Sequence, residues 1–188
     1  MTEFKSVNNP IDSAGPAKQV LSNLFYGWGY NFYRRENQLR ADDLLIRGKL
    51  SDLLGQCRAH AAELESDFRR EHLPPPTREH PFPDAAAVSA VQALERAARK
   101  IDTLETAIRT APVPEMDRIH QRHRNERTTL EQLVAADSDL VLAVVNLHDG
   151  VLALTDSANA ATQLQSLLGA QDIQALWNRR EQILSVLQ

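Results

Sequence analysis

The chain has 188 residues, of which 43% are hydrophobic and 24% charged, with a formal net charge of −4. That length fits one domain, the apolar content is too high for a disordered chain, and the acidic balance argues against nucleic acid as the main partner. Seven glycines among abundant Ala, Leu, Arg and Glu favour helix.

The charge is unevenly placed. Residues 1–135 carry equal numbers of acids and bases, and residues 136–188 carry six acids against two bases. The lone cysteine, Cys57, excludes an internal disulfide framework and an all-cysteine zinc site, and fits a reducing compartment. The first ten residues lack an apolar core, so no secretory signal is expected. The most apolar run, Leu140 to Leu147, is far short of the roughly 20 residues that a membrane span needs. A cytoplasmic protein with no membrane span is the expectation.

In chain order, residues 1–16 are polar, carry Pro10, Gly15 and Pro16, and read as an extended arm. Residues 17–188 read as a single helical-bundle domain. Leu21, Phe25, Trp28 and Phe32 recur at three- and four-residue steps, which predicts a first helix. The pattern continues through Ile46, Leu50, Leu53, Cys57, His60 and Leu64 to about His72, as one long helix or two joined near 37–42. The segment 73–84, L-P-P-P-T-R-E-H-P-F-P-D, has five prolines in ten residues and is a linker within the domain.

A helix is predicted over 84–111, opening on Asp84 as its cap and striped by Val88, Val91, Leu94, Ala98, Ile101, Leu104 and Ile108. The next opens at Pro114 and carries Met116, Ile119, His123, Glu126, Leu130 and Leu133 on one face. It runs to Leu147 or beyond, with a turn expected at His148-Asp149-Gly150. Two shorter helices are predicted near 156–168 and 172–187, with Gly169 just past the end of the first. The expected fold is all-α, an antiparallel helical bundle of five or six helices with Pro-rich connections.

Two features point toward function. Six of the ten aromatic residues lie between Phe25 and Tyr33, in L-F-Y-G-W-G-Y-N-F-Y. On a helix Phe25, Trp28 and Phe32 share one face, and Tyr26, Tyr30 and Tyr33 share its neighbour. Such a run either docks on the bundle or forms a contact surface, because Tyr and Trp bury large area at low entropy cost. The expected partner is another protein chain or a second copy, making a homo-oligomer.

The second feature is polar residues on predicted core positions. His60 interrupts one stripe, and His123 and Glu126 interrupt another. If these two helices are neighbours, His60, His123, Glu126 and Cys57 could converge as ligands for Zn, Fe or Mn. The competing readings are a polar pair that fixes helix register, or a stripe rotated so that His60 and Glu126 face water. No spacing argues for a nucleophile with its base, so an enzyme is not expected.

Overall fold

The computed structural model describes residues 38–78, 81–111 and 126–187. All regular elements among the described residues are helical: α1 (Gln38–His72), α2 (Ala85–Thr110), α3 (Glu126–Leu152), α4 (Ser157–Ala170) and α5 (Ile173–Leu187). The arm at 1–16 and the aromatic run at 25–33 lie outside the described residues. So does the stretch 112–125, where the fourth predicted helix is expected to open.

Local chemistry sets the helix ends. The last turn of α1 carries Arg69, Arg70 and His72, where cations offset the C-terminal dipole. The Leu73 N–H donates to the Arg69 carbonyl at 3.0 Å. Pro74 then has no N–H to extend the ladder, and it steers Leu73 toward extended backbone. Three helices open on aspartate caps. Asp84 accepts from the Ala87 N–H at 3.0 Å, Asp156 from Ala158 at 3.0 Å, and Asp172 from Ala175 at 3.1 Å. Each such cap is worth about 1 kcal/mol over alanine.

Partner pairs give the helix directions. α1 and α2 are antiparallel, since Arg69 reaches Glu95, Arg58 reaches Asp102 and Arg47 donates to the Ala111 carbonyl. α3 runs the same way as α1: Gln56 meets His148, and four residues further on His60 meets the Leu154 carbonyl. α5 returns against α3, pairing Arg179 with Asp139 and Arg180 with Asp137. α4 packs across α2, α1 and α3. One end of the molecule therefore gathers the start of α1, the end of α2 and the start of α3.

One continuous core joins all five helices, with Leu50, Leu94, Leu140, Leu164 and Ile173 among its members. The buried seam of α1 runs Ile46, Leu50, Leu54, Cys57, Ala61, Leu64, Phe68. It is displaced by one residue at two steps from the expected stripe. Leu54 and Ala61 are buried, whereas Leu53 and His60 are half-buried at the edge. A helix has 3.6 residues per turn, so a seam followed in mixed steps of three and four drifts by this amount over several turns.

The expected turn at His148-Asp149-Gly150 is instead continuous helix to Leu152. Gly150 serves packing there: a Cβ on it would stand 2.7 Å from Leu167 Cδ2, so its lack of a side chain lets α4 lie close to α3. Gly169 likewise falls inside the last turn of α4, and the helix ends at Gln171, whose N–H donates to the Leu167 carbonyl.

Candidate functional site

Of the expected ligands, Cys57 and His60 lie among the described side chains, both on α1. Cys57 is wholly buried, and burial pushes its thiol up to about 12, with the Asp149 charge adding to the rise. His60 places one ring nitrogen, Nε2, 2.9 Å from the Leu154 carbonyl, an acceptor that requires the ring to donate there. Its Nδ1 lies 3.5 Å from Glu63 Oε2.

Glu126 opens α3, and Leu154 lies just past that helix's far end. The 27 residues of α3 rise about 40 Å at 1.5 Å per residue. Metal–ligand bonds are near 2 Å, so one ion cannot take both His60 and Glu126. His123 lies outside the described residues, as do Phe25, Tyr26, Trp28, Tyr30, Phe32 and Tyr33. No group of three or more His, Cys, Asp or Glu able to hold a metal occurs among the described residues.

A different polar cluster lies inside the bundle. Asp43 on α1, Asp137 on α3 and Arg180 on α5 are all 0% exposed, and Arg47 on α1 is 4% exposed. Asp43 receives two cations on separate oxygens. Arg47 Nη2 lies 2.7 Å from Oδ2, and Arg180 Nη2 lies 2.8 Å from Oδ1. Arg180 Nε donates to Asp137 Oδ1 at the same time. Its guanidinium carbon also sits 5.3 Å from the centre of the Trp177 ring, one turn back on α5. Arg47 extends the cluster to α2 through the Ala111 carbonyl.

The planar fork of arginine suits this duty. Two of its nitrogens face two carboxylates on two different helices, a task that a lysine ammonium performs as a point charge only. The two aspartates and two arginines balance in charge. Glu181 lies beside them, and burial raises its carboxyl above the usual range. Arg180 and Arg47 pull it back, and Asp43 adds to the rise. Three of the four charged residues are fully closed to water.

The sequence holds a partial signal for this cluster. Continued backward from Leu50, the seam of α1 arrives at Asp43 after seven residues. In α3, Asp137 stands four residues after Leu133. In α5, Arg180 falls between Trp177 and Leu184 at steps of three and four. Each charge therefore occupies a core position of its own helix, which a single stripe does not distinguish from a helix face turned to water.

No family model, no characterised protein and no solved structure shows a significant match to this chain.

Proposed function

We propose that the chain is a non-enzymatic helical protein of interaction or assembly, whose contact surface is Phe25, Tyr26, Trp28, Tyr30, Phe32 and Tyr33. The observation that carries this is the concentration of six of the ten aromatics in nine positions. Supporting it, the core of the described residues takes only Phe68 and Trp177 from the aromatics and is otherwise aliphatic. Large amphipathic rings are the residues that most often anchor protein interfaces. The bundle, read as five or six antiparallel helices with Pro-rich connections, acts as the scaffold for this surface. The partner is another protein chain or a second copy, within the cytoplasm.

Sedimentation of the full chain beside its Tyr26→Ala/Tyr30→Ala/Tyr33→Ala variant tests the reading. The wild-type chain is expected to self-associate and the variant to be monomeric with unchanged helical circular dichroism. A wild-type chain that stays monomeric transfers the role to a different protein partner. Loss of helical signal in the variant places the tyrosines in the core and ends the proposal.

The alternative is a metal-binding bundle using Cys57, His60, His123 and Glu126. No contact among the described residues favours it.

A further inference from the structure

We propose that the Asp43–Arg47–Asp137–Arg180 network is the lock that docks α5, holding it in one register and making it the helix that opens as a unit when the lock is broken. This inference is independent of the aromatic surface.

Among the described residues of α5, Ile173, Trp177 and Leu184 are buried, and Leu176 and Ile183 pack half-buried against the same core. Apolar contact is non-directional, so such residues tolerate displacement along the groove between neighbouring helices. The polar contacts do not. Arg180 donates a hydrogen bond to Asp137 of α3 through Nε and stands in ion-pair range of Asp43 of α1 through Nη2, and both acids are shut off from water. A slip of one helical turn, about 5.4 Å, would carry the guanidinium off both carboxylates and break two charged contacts inside the bundle, which is unfavourable. Arg47, one turn further along α1, stands beside the second oxygen of Asp43 and so helps to fix the acceptor.

α1 and α2 make the most extensive helix pair, whereas α5 rests on α3 with only slight contact to α2. Breaking the network therefore loosens α5 while leaving the α1–α2 hairpin its own packing. Polar groups inside an apolar core are known to select one arrangement among several of similar burial, in systems where a single buried residue sets register.

Native-state hydrogen exchange on the full chain tests this. In Arg180→Met, amides of α5 are expected to exchange on the order of a hundredfold faster, with α1 and α2 retaining wild-type protection. Uniform loss of protection in all helices, or no loss in α5, overturns the proposal. Asp137→Asn removes one charge at nearly constant volume and is expected to show the same confined effect more weakly. If both variants unfold globally, α5 is not a separable unit and the proposal fails.

A fully apolar version, Asp43→Leu/Arg47→Met/Asp137→Leu/Arg180→Met, separates locking from stability. It is expected to melt no lower than wild type but to give more than one set of amide signals for α5. A single sharp set with native protection would show that apolar packing alone fixes the helix.

Discussion

Burial pushes the Cys57 thiol up to about 12, which leaves almost no thiolate at neutral pH to act as nucleophile or metal ligand. A thiol-reactive disulfide reagent is therefore expected to leave the native protein unmodified and to titrate one equivalent once the chain is unfolded in guanidinium. Fast reaction of the native protein would place the side chain at the surface. Glu181 is raised for the same first reason, and one of its oxygens, Oε1, is buried with no hydrogen-bond partner among the described residues. Its folded carboxyl holds its proton to higher pH than the unfolded one does. Its contribution to stability is accordingly present in acid and is lost as pH rises from the unfolded value toward the folded one. Glu181→Gln is expected to raise the melting temperature at neutral pH and to lose that advantage around pH 4, near the unfolded carboxylate value. A gain that is equal at both pH values would trace to packing and not to charge.

At the scale of the helix, two glycines give opposite expectations. Gly48 is exposed on α1, and a Cβ there would meet nothing within 4 Å. Gly48→Ala should stabilise the protein by about 0.5–1 kcal/mol through helix propensity, read as a higher urea midpoint with an unchanged slope. At Gly150 the same gain is opposed by Leu167, whose Cδ2 would lie 2.7 Å from the new methyl group. Prolines and caps made much of this scale legible beforehand. Pro74 and Asp84 act through atoms one to three residues away, so a local reading suffices for them. The seam of α1 is harder, because an error of one residue at Leu53 and at His60 puts His60 at an apparent core position, whereas Ala61 is the buried residue there. The partnership of Asp43 with Asp137 and Arg180 lies beyond any single helix. It depends on three segments distant in sequence meeting at one level of the bundle, and no periodicity carries that information. The metal reading rested on assuming which levels of two helices coincide. The observed pairs place His60 level with Leu154, at the opposite end of α3 from Glu126.

For the whole molecule, the aromatic run and the bundle make separate claims. The tyrosine variant is expected to change the assembled mass without changing helicity. The arginine variant is expected to change the exchange of α5 without changing the α1–α2 hairpin. Either result stands without the other. The buried network also sets an order of events during synthesis. α1 and α2 are joined by a short Pro-rich connection, so their contacts become available early and carry a low cost of loop closure. Asp43 and Arg180 are 137 positions apart, a length that a ribosome adds in on the order of ten seconds. Until α5 has emerged, Asp43 has its neighbour Arg47 but not the second cation that its buried position requires, and it stays accessible to water. The nascent hairpin thus carries a charged notch in its apolar face that the final helix closes over.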